Sequence, residues 1–366
     1  MVKPGGAGPD LDEGSPAENG DGRAFVLAHL SDPHVPNRLA ASPTAMLNKR
    51  IFGFMTWKFR RVRLHRREVL DALSRDLALT GADHVAVTGD IVNIALPKEF
   101  TAAVAWLRTL GDAEHVTVVP GNHDAYVPVS WQHSWSAWQE FMAGDPGTEA
   151  PGPEPLFQRS RRPGLGRFPL YRQRGPVALI GLSTALPTAP GRSSGCLGPE
   201  QLARLDACLR RAAKAGLFRV VLLHHPPHAP ELARYKRLCD GESFCSVIAA
   251  AGAELVLHGH EHRFRYQELA GPAGTVPSFG VPSASMLPPS DEPIAPGEYH
   301  LHHIRRRGDR WLIETHFRTY HTGRGCFLER IRRELSLPVQ PADAPAETQA
   351  STGADERASA VIRQGT

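Results

Sequence analysis

Short polar motifs that could bind metal ions follow several apolar runs in this sequence. In chain order they are Asp32-Pro33-His34, Gly89-Asp90, Gly121-Asn122-His123-Asp124, His224-His225 and Gly259-His260-Glu261-His262. With the His123–Asp124 dyad, His225 and Glu261 set aside, they offer four imidazoles, two carboxylates and an amide. Such ligands, without thiolates, suit Zn, Mn, Fe, Ni or Co rather than a soft metal or an iron–sulfur cluster. Seven ligands are too many for one tetrahedral ion, so the set favours two metal ions with positions left open for water and substrate.

The elements that must position these motifs alternate between strand-like and helix-like stretches. Apolar runs predict strands at 24–30, 84–90, within 115–124, and at 177–182, 219–224, 254–258, 275–281, 299–304 and 311–315. Helical periodicity predicts helices at 64–79 and 97–110 and one that begins at Pro199, with Gly81 and Gly216 as stop signals. The alternation predicts an α/β fold. Ligands in such folds gather beyond the carboxyl ends of strands, where the polar motifs fall.

Composition and charge exclude several classes of protein. The net charge of +4, from 42 basic and 38 acidic residues, is too even to indicate bulk nucleic-acid binding. No apolar run approaches the ~20 residues of a membrane span, and the N-terminus lacks the apolar core of a secretory signal. The five cysteines are an odd number without a CxxC pair, which argues against a disulfide framework and a cysteine-based zinc site. We therefore expect a cytoplasmic location.

Both ends of the chain have the composition of disordered tails. Residues 1–23 and 336–366 contain no Phe, Trp or Tyr and are rich in Gly, Pro, Ala and polar residues. Such segments bury too little apolar area to offset the entropy of ordering. The predicted folded domain is therefore 24–335, with a Pro/Gly/Arg-rich loop at 143–169.

Taken together, the motifs resemble the complete motif set of the calcineurin-like metallophosphoesterases. The resemblance rests on Asp32-x-His34, Gly89-Asp90, Gly121-Asn122-His123-Asp124, His224 and Gly259-His260-x-His262, and it covers about residues 24–265. The His224-His225-Pro226-Pro227 turn and the chain length also resemble the bacterial class III cyclic-nucleotide phosphodiesterases. The resemblance implies a four-layer α/β/β/α sandwich with two central mixed sheets and a dinuclear metal site at the C-terminal ends of the strands.

The resemblance also implies a division of the ligands between two ions, which would be Mn, Fe or Zn. One ion would be held by Asp32, His34 and His262, the other by Asn122, His224 and His260, and Asp90 would bridge them. His224 is preferred because family members place this ligand two residues before a proline, here Pro226. His225 stays open as the alternative ligand.

The implied activity is that of a metal-dependent phosphoesterase acting on a small phosphorylated substrate, with a phosphodiester such as a cyclic nucleotide favoured. A hydroxide that bridges the metals would attack phosphorus. His123, as imidazolium, would stabilise the developing charge or protonate the leaving oxygen, and Asp124 would orient it. His225 and His228 are candidates for contacts with the substrate.

The segment 49–67 is unusual, because its eight Lys/Arg residues, without any acid, are interleaved with Ile51, Phe52, Phe54, Met55, Trp57 and Phe59. It could cap the site, contact a membrane surface, or pack its aromatic side chains on the core with its charges in water; the packing interpretation is favoured. A membrane contact would suit a hydrolase of lipid-linked or nucleotide-sugar pyrophosphates, which is the alternative function. A non-catalytic scaffold is disfavoured because every motif residue is kept, and a specific nucleic-acid partner is not expected.

Overall fold

A computed structural model of the chain describes residues 23–37, 46, 48–148, 167–289 and 294–339, apart from the side chains of Lys58 and Arg60. Of the predicted tails at 1–23 and 336–366, residues 1–22 and 340–366 lie outside these residues, as does most of the predicted loop at 143–169. The last strand runs to Pro338, so the predicted domain end at residue 335 falls inside a strand.

The strands alternate with helices as the sequence predicts, and additional strands complete the sheets. In chain order the strands are β1 (Phe25–Leu30), β2 (His84–Val87), β3 (Val116–Val118), β4 (Leu170–Arg174), β5 (Val177–Gly181), β6 (Phe218–Leu222), β7 (Leu255–His258), β8 (Arg265–Gly271), β9 (Gly274–Gly280), β10 (Glu298–Arg307), β11 (Arg310–His321) and β12 (Cys326–Pro338). Strands β4, β8 and β12 were not predicted. Each forms a sheet edge, where partial exposure interrupts the apolar runs that mark central strands.

The helices are α1 (Arg50–Thr56), α2 (Val62–Leu64), α3 (Arg67–Thr80), α4 (Pro97–Leu110), α5 (Pro199–Lys214) and α6 (Gly241–Ala251). A π-helical turn at Trp57–Arg61 joins α1 to α2, and 3₁₀ turns lie at Trp131–His133, Trp135–Met142 and Arg234–Lys236. Gly81 ends α3 in the left-handed conformation, with φ of 66°. None of the described helices is long and apolar enough to cross a membrane.

Two mixed sheets of six strands each form the centre of the described molecule, in the orders β12–β11–β10–β1–β2–β3 and β4–β5–β6–β7–β9–β8. Strands β1, β2 and β3 are parallel neighbours, as are β5, β6, β7 and β9. Helix α3 packs on α4 and β12, and α5 packs on β5, β6 and α6. The predicted α/β class with two central mixed sheets is therefore confirmed.

A disulfide bond joins Cys196 to Cys239. The cysteine pattern argued against disulfides, and for this pair the argument was wrong. The two residues are 43 positions apart in the sequence, and they meet because residues 195 and 238 form an isolated β-bridge. The disulfide therefore removes the cysteine-based argument for a reducing compartment.

Candidate metal centre

Five strands deliver the predicted ligands to one place. Strands β1, β2 and β3 of the first sheet end just before Asp32, Asp90 and Asn122, and β6 and β7 of the second end before His224 and His260. Because neighbouring parallel strands end at the same edge of a sheet, the short motifs after them converge. The structure thus brings all seven predicted metal ligands together, although they span 231 positions of sequence, from 32 to 262.

The first group of ligands is built around a fully buried carboxylate. Asp32 Oδ1 lies 3.1 Å from His262 Nε2, and His34 Nε2 lies 3.2 Å from the same His262 nitrogen. The Nδ1 atom of His34 lies 3.2 Å from the Val92 carbonyl oxygen and donates to it. The lone pair of His34 therefore resides on Nε2, which faces the other two donors.

The second group repeats this arrangement. His224 Nδ1 donates to the Thr88 carbonyl oxygen at 2.7 Å, so its lone pair also resides on Nε2. That nitrogen lies 3.2 Å from Asn122 Oδ1. The ring of His260 lies 5.2 Å from the ring of His224, centroid to centroid.

Asp90 connects the two groups through a single oxygen atom. Its Oδ2 lies 3.4 Å from His224 Nε2 and 3.9 Å from His34 Nε2, and the side chain is buried. The carboxylate of Asp90 is close enough to share a metal ion with Asp32 and His34 on one side, and with His224 and His260 on the other. This position between the groups is the one a bridging carboxylate requires.

The donor set fits metal ions. Imidazole lone pairs face carboxylate and amide oxygens, and such contacts between acceptors need a cation between them. In the chain alone, a proton on His224 takes the place of that cation. Burial lowers the pKa of His224, but Asp90 outweighs burial and raises this pKa to about 9. Burial would also raise the pKa of Asp90, but His224 and His123 lower it well below its usual range. Both shifts show a site that favours a positive charge.

Backbone strain coincides with the ligands. Among the described residues, six non-glycine residues have a positive φ, between 37° and 75°, and five of these are predicted ligands: Asp32, His34, Asp90, His260 and His262. The left-handed conformation is unfavourable for residues with a Cβ atom. Its concentration at the ligand turns is typical of functional sites, where the surrounding structure holds a strained backbone.

The glycines of the motifs are required by close approach between turns. A Cβ atom on Gly121 would lie 2.3 Å from Asp90 Oδ1, and one on Gly259 would lie 1.9 Å from Ser31 Oγ. No side chain fits at either position, so glycine at both lets the turns of different strands pack against each other.

A model of the calcineurin-like phosphoesterase family matches residues 25–264, which contain all of these motifs. The chain belongs to this family. The phosphoesterase is 34% identical over 109 residues to a protein of Synechococcus sp. (strain WH7803) named "Probable cyclic nucleotide phosphodiesterase". That alignment covers 29% of this chain and 40% of the relative. A dimetal phosphatase from Danio rerio shares the fold, with 14% identity and a TM-score of 0.54 over 87% of this chain and 100% of that one.

His225 turns away from the metal centre of the phosphoesterase. Its Nδ1 lies 2.7 Å from Thr184 Oγ1, and its Nε2 lies 2.9 Å from the Ser193 carbonyl oxygen. Both ring nitrogens are thus occupied, whereas Nε2 of His224 faces the centre. The geometry therefore favours His224 as the ligand. His228, the other candidate for substrate contact, is exposed and does not line the described cavity.

Asp124 does not orient His123, contrary to the sequence interpretation. Its buried carboxylate accepts hydrogen bonds from the backbone N–H groups of Gly121, Asp90, Ile91 and Val92, at 2.8–3.0 Å. Four backbone donors exhaust the acceptor positions of the carboxylate. Asp124 therefore fixes the turn that carries Asp90, and its effect on the reaction is a positioning effect.

The Asn93 carbonyl oxygen, rather than Asp124, holds the ring of His123. It accepts from His123 Nδ1 at 2.5 Å, while Nε2 lies 4.0 Å from Asp90 Oδ2. Burial and, secondly, Arg61 lower the pKa of His123 to about 3. The imidazole is thus neutral in the free phosphoesterase, where the sequence interpretation had an imidazolium.

Sequence reasoning missed two residues of the site, Arg61 and His65. Arg61 Nη2 donates to His123 Nε2 at 2.8 Å and places a guanidinium beside the ligands. The ring of His65 lies 4.6 Å from that of His34, and its Nδ1 contacts Ser285 Oγ at 2.7 Å. Both follow helical turns rather than a strand, so the strand-then-motif pattern could not find them. Their one signal is their place in the unusual segment 49–67.

A cavity of about 610 Å³ opens over the ligands. Asp90, Asn122, His260 and His262 form part of its wall, and the cationic side chains of Arg61 and Lys236 form another part. Arg263 also lines the cavity but forms an ion pair with Glu261 there. Such a lining attracts an anionic substrate to the metal centre.

Five apolar side chains of the segment 49–67 are exposed to solvent. We call the exposed set Ile51, Phe52, Met55, Phe59 and Val62 the apolar row, with side chains 44–62% exposed. Two of the cations point inward instead: Arg50 donates to the carbonyl oxygens of Ile94 and Ala95, and Arg61 reaches the cavity. The packing interpretation, with aromatic side chains inside and charges in water, is wrong for these residues.

Proposed function

We propose that this phosphoesterase hydrolyses a small phosphodiester, with a cyclic nucleotide as the first substrate to test. The observation that carries the proposal is the position of Asp90 Oδ2 between His34 and His224, which fits two adjacent ions. The relative named as a probable cyclic nucleotide phosphodiesterase supports the substrate class over the aligned 109 residues.

Asp32, His34 and His262 would hold one ion, Asn122, His224 and His260 the other, and Asp90 both. When bound, such a metal pair, of Mn, Fe or Zn, supplies a water nucleophile at neutral pH and Lewis-acid stabilisation of the phosphoryl oxygens.

The residues of the chain itself would bind the phosphate and manage the proton. Arg61, with two donors on one guanidinium, suits bidentate binding of phosphate oxygens. The Asn93 carbonyl accepts the Nδ1 proton of His123, so Nε2 is the atom that can take up a proton and deliver it to the leaving oxygen. An anionic substrate bound by Arg61 would remove the main charge that disfavours this protonation.

The experiment is a comparison of substrate classes with protein loaded with Mn²⁺. We expect kcat/KM for bis(p-nitrophenyl) phosphate to exceed that for p-nitrophenyl phosphate, and a cyclic nucleotide to be opened. Asp90→Ala protein is the matched control for contaminating activity. A preference for the monoester would contradict the phosphodiesterase proposal and leave the metal centre unaffected.

A second candidate function is hydrolysis of lipid-linked or nucleotide-sugar pyrophosphates at a membrane surface. The observation that favours it is the apolar row, because five large exposed apolar side chains lie on the segment that also delivers Arg61 to the cavity. Apolar side chains flanked by cations, here the exposed Arg63 and Arg66, suit contact with an anionic bilayer.

Co-sedimentation with phosphatidylglycerol vesicles tests the membrane contact. We expect Phe52→Ser/Phe59→Ser protein to lose binding, and Leu79→Ser, which changes an exposed leucine outside the apolar row, to retain it. Equal binding by all three proteins would reject the contact.

A further inference from the structure

Three histidines lie together inside the sandwich, away from the turns that carry the metal centre. His29 belongs to β1, and His300 and His302 belong to β10. The antiparallel pairing of these strands places His29 opposite His300 and Leu27 opposite His302. All three side chains therefore lie on one face of the first sheet, and all are fully buried. We call them the core histidine cluster.

This face of the sheet is turned toward the second sheet. The ring of Phe279, in β9, lies 5.3 Å from that of His302 and 6.3 Å from that of His300, centroid to centroid. Phe317 lies 4.5 Å from His300. The cluster is thus enclosed by aromatic rings, which offer its nitrogen atoms no hydrogen-bond acceptor of ordinary strength.

Each ring of the cluster has one nitrogen atom held by a polar side chain. His29 Nε2 lies 3.0 Å from Thr88 Oγ1, and His302 Nδ1 lies 2.9 Å from Thr315 Oγ1. His300 Nε2 lies 3.0 Å from Glu298 Oε1. An ionised carboxylate only accepts, so His300 carries its hydrogen on Nε2 and its lone pair on Nδ1.

The other nitrogen of each ring has no hydrogen-bond partner among the described residues. These atoms are His29 Nδ1, His300 Nδ1 and His302 Nε2. One ring nitrogen from each histidine lies within 4.8 Å of those from the other two. A buried polar atom without a partner is unfavourable, and one ion bound by the three rings would give these atoms a partner.

We propose that the core histidine cluster binds one divalent transition-metal ion of the zinc class, separate from the dinuclear centre. Three converging imidazole nitrogens are a ligand set that Zn²⁺, Co²⁺, Ni²⁺ and Cu²⁺ accept. The contacts of the opposite ring nitrogens with Glu298, Thr88 and Thr315 are those that orient metal-bound histidines.

Enclosure assigns the ion a structural function. The cluster joins β1 to β10, in the middle of the first sheet. All three of its side chains are fully buried, so a substrate could not reach it. An ion there would fix the strand whose C-terminal end carries Asp32 and His34.

The test is a count of zinc ions per chain in matched variants of the full-length protein. His302→Gln removes a ligand of the cluster, while His303→Gln changes the next residue, which lies on the opposite face and packs against His316. Each is made in the unaltered chain and in the Asp90→Ala chain, refolded with Zn²⁺, dialysed against a weak chelator and analysed by mass spectrometry for metals. We expect His302→Gln to hold one zinc ion fewer than His303→Gln in both backgrounds.

Equal zinc contents in the two variants would overturn the proposal. If His302→Gln fails to fold, the Asp90→Ala chain decides alone: it should retain zinc, with X-ray absorption showing nitrogen ligands at about 2.0 Å. Absence of zinc from folded Asp90→Ala protein would reject the cluster as a metal site. Because the count is made in both backgrounds, its outcome is independent of the proposed phosphodiesterase activity.

Discussion

The dinuclear centre and the core histidine cluster both use β1, yet they differ in backbone, donors and access. The centre lies just beyond the strand end, where Asp32 and His34 adopt left-handed conformations and the cavity begins. The cluster lies within the strand, where His29 keeps the regular pairing of a sheet. The comparison teaches that mixed donors on strained turns suit a reactive site, whereas one kind of donor on regular strands suits a structural one.

Removal of the Asp90 side chain should have the largest effect on hydrolysis and on metal content at the centre. We expect Asp90→Ala to lose nearly all hydrolysis and most of the metal at the centre, because one oxygen atom serves both ligand groups. Metal analysis and kcat on bis(p-nitrophenyl) phosphate check this. Unchanged metal content at the centre would contradict the assignment of Asp90 as the bridging ligand.

His123 should affect the reaction without affecting the metals. We expect His123→Ala to lower kcat by roughly 10²–10⁴-fold, the usual effect of a positioned acid or base. The loss should be smaller for nitrophenolate leaving groups, which need no proton. His228→Ala, at an exposed histidine outside the cavity, is the control and should leave kcat unchanged. A parallel loss of metal would make His123 a ligand.

Arg61 gives the dinuclear centre a positive charge that the core histidine cluster lacks. We expect Arg61→Gln to lower kcat/KM by roughly 10–100-fold, which corresponds to loss of a charge-assisted hydrogen bond to phosphate. Arg63→Gln changes an exposed arginine of the same segment and should alter mainly the salt dependence of KM. Similar losses in both variants would indicate attraction by the segment as a whole rather than contact by Arg61.

His84 is a buried histidine of β2 without a neighbouring cluster, and it should show only acid sensitivity. Burial, and secondly Arg172, lowers its pKa to about 3. Below pH 6.5, His84 binds a proton in the unfolded chain but not in the native chain. The free energy of unfolding therefore decreases as the pH is lowered, until about pH 3. When the pH is lowered from 7 to 5, the free energy of unfolding should decrease by roughly 2 kcal/mol less in His84→Gln than in the unaltered chain. Urea unfolding at both values measures the difference, and equal losses would contradict the shift.

The sequence predicts that the candidate ligands converge, because each lies in a short motif after an apolar run. Asp32, Asn122 and His260 need no knowledge of tertiary contacts beyond the rule that strand ends converge. The function of Asp124 could not be predicted in this way, since three of its four partners are backbone N–H groups of a different turn, that of Asp90.

The remaining features depend on pairings that no local pattern contains. The core histidine cluster requires β1 to pair with β10 in one register, which joins His29 to a residue 271 positions away, His300. A shift of one residue would turn the β10 histidines to the other face. Similarly, helical periodicity within 49–67 does not reveal that Arg61 turns inward while Phe59 stays in solvent.

Thr88 belongs to both histidine groups at once. Its carbonyl oxygen accepts from His224 at 2.7 Å, and its hydroxyl contacts His29 at 3.0 Å. An ion that fixes either histidine therefore also fixes the residue that orients the other. By thermodynamic linkage, any effect that occupancy of one site has on the affinity of the other is the same factor in both directions. Thr88 thus connects the interior of the sandwich to its metal-binding edge through one residue.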